Sequence, residues 1–153
     1  MMNRDIAILY ATMTGNAREC AERTAASLGK AGLPARLHDL AHYDPRGLLE
    51  ETTVLLPIST WGEGEPPDDG VHFVDYVKSL EPASLCKLRF AVFALGDTSY
   101  DNFCQCGRDL DRMFEERGAT RLLDRVDNDI DFEGALVKWH EALVALLPDT
   151  VAA

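Results

Sequence analysis

Positive charge is what this sequence is short of. Its 153 residues carry 15 Lys and Arg against 26 Asp and Glu, a formal net charge of −11. Nucleic acid and anionic lipid surfaces would repel such a chain, whereas a basic protein surface would suit it. Long apolar runs are missing too, and none approaches the ~20 residues needed to cross a bilayer. The four cysteines, Cys20, Cys86, Cys104 and Cys106, include no C-x-x-C pair and have no histidine at zinc-ligand spacing. Neither a disulfide framework nor a metal centre is therefore expected, and the thiols read as reduced, as in a cytoplasmic protein. His38, His42, His72 and His140 are scattered and read as surface or helix-face residues. Catalytic signatures are equally absent: there is no G-x-x-x-x-G-K-[ST], no G-x-G-x-x-G opening the first helix and no G-x-S-x-G. Met1-Met2-Asn3-Arg4 runs straight into a strand and does not read as a signal peptide.

What the sequence does have is alternation of strands and helices. Asp5 to Tyr10 is an apolar strand, and Ala17, Cys20, Ala21, Thr24, Ala25 and Leu28 then recur at helical spacing on one face. Gly29 and Gly32 close that helix before a short strand, Ala35 to His38. Asp44-Pro45 through Glu51 reads as a turn. Thr53 to Ser59 is nearly all apolar, as a central strand covered on both faces should be, with Pro57 expected near its end. A helix from Val71 to Leu80, a strand from Leu88 to Leu95, and a helix carrying Phe103, Gly107, Leu110, Met113 and Phe114 follow. A short strand, Arg121 to Leu123, precedes a last helix with Phe132, Leu136, Trp139, Leu143 and Leu147 on one stripe, which Pro148 should end. Parallel pairing with right-handed crossovers is then required. The expected fold is α/β, a three-layer sandwich with a doubly wound five-stranded parallel sheet in the order 2-1-3-4-5, filling residues 1–153 as one domain.

In such a sheet a ligand sits beyond the carboxyl ends of the strands, at the switch point between strands one and three. Three unusual loops emerge there: Thr12-Met13-Thr14-Gly15-Asn16, Ser59-Thr60-Trp61-Gly62-Glu63-Gly64 and Leu95-Gly96-Asp97-Thr98-Ser99-Tyr100. The first offers hydroxyls and amides at a helix N-terminus, a place that favours an anion. It contains no Lys or Arg, so a phosphate would be held by hydrogen bonds and not by countercharge. The other two each present an aromatic ring. A phosphate cradle beside two aromatic loops suggests a flat phosphorylated cofactor, FMN. A phosphoaspartate receiver shares the strand order, but Tyr10-Ala11-Thr12 and Ile58-Ser59-Thr60 stand where its acids would be.

Thr12 to Ala17, Ser59 to Gly62, and Leu95-Gly96-Asp97-Thr98-Ser99-Tyr100-Asp101-Asn102-Phe103-Cys104 resemble the three FMN-binding loops of the flavodoxin family. Gly62 to Asp69 and Arg121 to Asp127 are similar, more specifically, to the FMN domain of the sulfite reductase flavoprotein and other diflavin reductases. The resemblance implies that Thr12, Met13, Thr14, Gly15, Asn16 and Ala17 wrap the 5′-phosphate. Ala17 lacks the hydroxyl that many flavodoxins carry there. Trp61 and Tyr100 would flank the isoalloxazine ring. Sulfite reductase domains can have a polar residue in place of Trp61, so here the chain resembles a stand-alone flavodoxin. Leu95, Gly96 and Asp97 would approach the pyrimidine edge, and Asp127 and Asn128 would add a fourth loop near Tyr100. The peptide at Gly62 would turn over with the flavin's redox state, which Gly does without strain. The insertion that marks the last strand of long-chain flavodoxins is absent.

Acids crowd these loops: Glu63, Glu65, Asp68 and Asp69; Asp97 and Asp101; Asp124, Asp127, Asp129, Asp131 and Glu133. Uncompensated, they would disfavour the second electron on the flavin and would steer a basic partner. The expectation is a monomeric, cytoplasmic electron carrier with non-covalent FMN and no acid, base or nucleophile of its own. It would take electrons from an NAD(P)H-dependent reductase and pass them to an acceptor protein docked on an acidic rim. The rivals are an FMN-dependent NAD(P)H:quinone reductase and the FMN portion of a larger diflavin reductase.

Overall fold

The computed structural model describes residues 5–11, 15–60, 70–96, 104–129 and 131–152, the last four as backbone only. β1 (Ile6–Tyr10), β2 (Ala35–Asp39), β3 (Thr53–Ser59), β4 (Arg89–Leu95) and β5 (Thr120–Arg121) form one parallel sheet in the order β2-β1-β3-β4-β5. A further segment, β6 (Val126–Asn128), pairs with the far end of β4. The helices are α1 (Asn16–Lys30), α2 (Val71–Ser79), α3 (Gln105–Glu116) and α4 (Glu133–Ala152). A 3₁₀ turn, Pro45–Glu50, starts where the Asp44 carboxylate accepts from the Arg46 amide at 3.0 Å.

Strand alternation sorts the core into two layers. Ile6, Ile8 and Tyr10 point to α1 and α4, where they meet Ala17, Cys20, Leu28, Leu136 and Trp139. Ala7, Leu9 and Ala11 point the other way, toward Leu48, Phe73, Leu110 and Phe114. Every residue of β1 and β3 is buried, which is why both read as unbroken apolar runs. The stripe expected on α1 is buried from Ala17 to Leu28. Its one hydroxyl is satisfied, since Thr24 donates to the Cys20 carbonyl at 2.6 Å and lies 2.8 Å from His140 Nε2.

Three places differ from the sequence reading. Pro57 lies inside β3, paired in register with Phe93 of β4. The amide of Ser59 donates to Ala11 on β1 at 3.1 Å, so position 57, two residues earlier, would face β1 as well. Proline has no donor to give there, and the β1–β3 ladder lapses after Ile8↔Leu55 until the Ala11↔Ile58 bridge. Pro148 lies within α4 instead of ending it. Near a helix end its ring removes a single bond, that to the carbonyl four residues back, and the remaining turns carry on. Finally, the strand expected at Arg121 to Leu123 is Thr120–Arg121, and a second piece follows at Val126. Between Phe90↔Arg121 and Phe93↔Val126, β4 spends Ala91 and Val92 while the outer chain spends residues 122–125. Asp111 on α3 secures both sides of that excursion, accepting from Arg121 at 2.9 and 2.8 Å and lying 3.5 Å from Arg125.

Candidate functional site

The strand ends are laced into one row at the carboxyl edge. Ser59 donates to Ala11 at 3.1 Å, Thr60 to Leu95 at 3.0 Å, and Gly96 to Asn128 at 2.9 Å. Four strands are thus tied, one to the next, where the chain departs into the segments 12–14, 61–69 and 97–103. Those segments lie outside the described residues, and with them Thr12, Met13, Thr14, Trp61, Gly62, Asp97, Thr98, Ser99, Tyr100, Asp101, Asn102 and Phe103. The structure places the rest of the expected set: Gly15, Asn16, Ala17, Ser59, Thr60, Leu95, Gly96 and Cys104 all stand at this edge or at the helix starts beside it.

Gly15 leads into α1 with φ of 93°, a left-handed conformation that side chains disfavour, and a Cβ there would meet nothing within 4 Å. Asn16 is the first helical residue and not the cap. The Ala17 methyl is fully buried in the core, so its contribution to the edge is its amide. A glycine-led helix start that offers backbone amides, with the Arg18 of its first turn held by Glu22 at 3.1 Å, matches a phosphate ester held by hydrogen bonds, so these residues fit the cofactor's anionic end.

The start of α3 is built differently. Thr60 accepts the Cys106 amide on its Oγ1 at 3.0 Å, so the end of β3 caps this helix. Cys104 takes the left-handed region at φ of 55°, and its thiol donates to the Asn128 carbonyl at 3.5 Å. Burial pushes that thiol up to about 12, which keeps it a protonated donor. Asn128 in turn donates from Nδ2 to the Ala94 carbonyl at 3.1 Å. Gly107 permits the close approach of α3 to β4, for a Cβ on it would lie 2.4 Å from that of Ala94. Neither the Asn128 linkage nor the Gly107 contact was legible in the sequence, where Gly107 read as one more helix-face residue.

The acids at the last loop are partly compensated, contrary to the expectation of a bare ring. Asp127 accepts from Arg125 at 2.7 and 3.1 Å and lies 3.7 Å from Arg108. Glu133 accepts from Arg23 at 2.7 Å, a bond that holds its carboxyl below the usual range. Asp124 is exposed, and Glu63, Glu65, Asp68, Asp69, Asp97 and Asp101 fall outside the described residues. Among the described residues no helix is long and apolar enough to cross a membrane.

A doubly wound sheet in this order, with three loop exits at its switch-point edge, defines a flavodoxin-type fold. The family model for flavodoxin matches residues 8–139. The sulfite reductase [NADPH] flavoprotein alpha-component of Neisseria meningitidis (strain FAM18) is 44% identical over 147 residues, 96% of this chain and 24% of its own length. That of Vibrio cholerae is 38% identical over 144 residues, 94% of this chain and again 24% of its own. The flavodoxin of Streptococcus pneumoniae TIGR4 superposes with a TM-score of 0.83 at 30% identity, covering 95% of this chain and 98% of that one. The chain belongs to the flavodoxin family. FMN is accordingly its cofactor and electron transfer its work. It spans about a quarter of the length of the curated relatives it matches.

Proposed function

We propose that the carboxyl-edge crevice holds FMN so that single electrons pass from an NAD(P)H-dependent reductase to an acceptor protein. The flavin supplies the redox chemistry, and the chain supplies position and electrostatics. The amides of Gly15, Asn16 and Ala17, with Thr12, Met13 and Thr14, bind the phosphate. Trp61 and Tyr100 cover the ring faces and exclude water. Leu95 and Gly96 present backbone groups to the ring edge, with Asp97 beside them, and Ser59, Thr60 and Gly62 line the second loop. Thr98 and Ser99, and the stretch Asp101, Asn102, Phe103 and Cys104, carry the third loop back into α3. No side chain acts as acid, base or nucleophile. Residues 1–153 work as one domain, monomeric and cytoplasmic, docking basic partners on an acidic rim.

The observation that carries this reading is the left-handed Gly15 that opens α1 beside the knitted strand ends. Its test is a titration of flavin-free protein, followed by quenching of flavin fluorescence. FMN should bind at least ~100-fold more tightly than riboflavin, as the loss of two charge-assisted hydrogen bonds of roughly 1.5 kcal/mol each implies. A protein that purifies colourless and ignores added FMN would end the proposal.

A second reading is that this domain is the FMN portion of a diflavin sulfite reductase component. The 44% identity to such a protein, confined to 24% of its length, favours it. The electron donor would then be an FAD- and NADPH-binding portion and the acceptor a sulfite-reducing partner.

A further inference from the structure

Both ends of the 97–103 segment are fastened to one atom. Gly96, the residue before it, donates its amide to the Asn128 carbonyl at 2.9 Å. Cys104, the residue after it, donates its thiol to the same oxygen at 3.5 Å. Asn128 is buried, and its Nδ2 bonds the Ala94 carbonyl at 3.1 Å, which fixes the direction in which its own carbonyl points. A carbonyl has two lone pairs, so it can serve both donors at once. The left-handed backbone of Cys104 is strained for a residue with a Cβ, and strain of that kind persists only where surrounding bonds hold it. One of those bonds is the Thr60 hydroxyl on the Cys106 amide at 3.0 Å, which ties the start of the 61–69 segment to the same helix.

We infer that Asn128 is a positioning residue, a clasp that ties Gly96 at the end of β4 to Cys104 at the start of α3 and so fixes the two points between which residues 97–103 run. The effect on flavin rests on the function proposed above; the clasp itself does not. Without the Nδ2 bond the Asn128 carbonyl swings, the Cys104 thiol loses its acceptor, and the helix start and the loop exit part company. The phosphate cradle on α1 belongs to another strand end and is untouched.

The experiment compares Asn128→Ala with its parent, both in a Cys86→Ser background that removes the exposed thiol. In flavin-free protein, thiol labelling read by peptide mapping should rise at least tenfold at Cys104 and stay unchanged at Cys20. FMN and riboflavin should then both bind about tenfold more weakly, their affinity ratio staying within twofold because only ring contacts are disturbed. Unchanged Cys104 labelling overturns the clasp, and so does a collapse of that ratio, which would mean general loosening. Should Asn128→Ala not fold, amide exchange on the wild-type protein without flavin decides. Gly96 should exchange within tenfold of the interior amides of β4; exchange at the rate of free peptide overturns the inference. If wild-type protein ignores FMN yet protects Gly96 and Cys104, the function proposed above fails and the clasp stands.

Discussion

At the amino end of the sheet, Arg36 on β2 donates to Asp5 ahead of β1 at 2.8 Å and to the buried Glu51 ahead of β3, where the Tyr43 hydroxyl also donates at 3.4 Å. At the carboxyl end, the bonds that lace the strands come from amides, a hydroxyl, a thiol and a carboxamide. Among the described residues charge fastens the amino end, whereas at the carboxyl end uncharged groups lace the strands and charge is gathered at Asp127 with Arg125 and Arg108. A fixed cation at the crevice would compete for a bound phosphate, and a fixed anion would repel it. The neutral lacing bonds hold the strand ends without adding to the potential set by Asp127 and its two arginines. The cost of this choice is that the carboxyl end depends on close fit, because no single bond there is strong.

That dependence sets the largest expected effect. Gly107→Ala forces a methyl against Ala94, and overpacking of this kind costs about 2 kcal/mol. Because α3 carries Cys104, flavin affinity should fall along with the urea midpoint of the flavin-free protein; a fall in stability alone would mean that α3 can shift without moving the loop.

Glu51→Gln should cost less, about 1 kcal/mol, since Arg36 is one-third exposed, keeps Asp5 and is screened by solvent. Here the urea midpoint should drop while FMN affinity stays within twofold. A matching loss of affinity would show that the two ends are coupled and would erase the distinction.

The smallest effect concerns pH. Burial, aided by Arg36, lowers the pKa of His38, and burial likewise lowers that of His140. Arginine can only donate, so His38 Nε2 must accept from Arg36 at 3.1 Å, a bond that protonation destroys. Depressed values mean that the unfolded chain takes up protons first. Stability is therefore full above about pH 6.5 and is lost as pH falls through that value toward the folded pKa. Urea titrations at pH 7.5 and 5.5 should show the drop, and His38→Gln should flatten part of it. A slope unchanged in that variant would remove titration from the account of the amino end.

Much of this was legible in the sequence because burial writes itself into periodicity. β3 occupies the span expected from Thr53 to Ser59, and the α1 stripe from Ala17 to Leu28 faces the core. The loop exits were legible for another reason: each falls at the carboxyl end of a strand, where the apolar run stops. Less visible were features that rest on contacts between distant residues. Nothing near Asn128 announces that its carbonyl serves two donors more than twenty positions away, and Gly107 gives no sign of its nearness to Ala94. Pro57 misled in the opposite direction. A proline inside a central strand reads as a boundary, yet its missing donor faces only one neighbour and the pairing with β4 is unbroken. Glu133 looked bare because its partner Arg23 is remote in sequence, whereas Asp127 is paired mainly by Arg125, only two positions away.

The split outer strand has an evolutionary and practical consequence. After Leu122, whose amide still bonds Phe90 at 2.8 Å, residues 123–125 leave the sheet and return without spoiling the alternation of side chains, and Asp124 at their crest is exposed. Extra sequence grafted after Asp124 would lengthen an existing detour without cutting a rung, with Arg121 and Arg125 still anchored on α3 as its two feet. The fold thus carries a port through which a lineage, or a protein engineer, could append a reporter or a recognition peptide at the outer edge of the sheet while the pairings on either side stay in place.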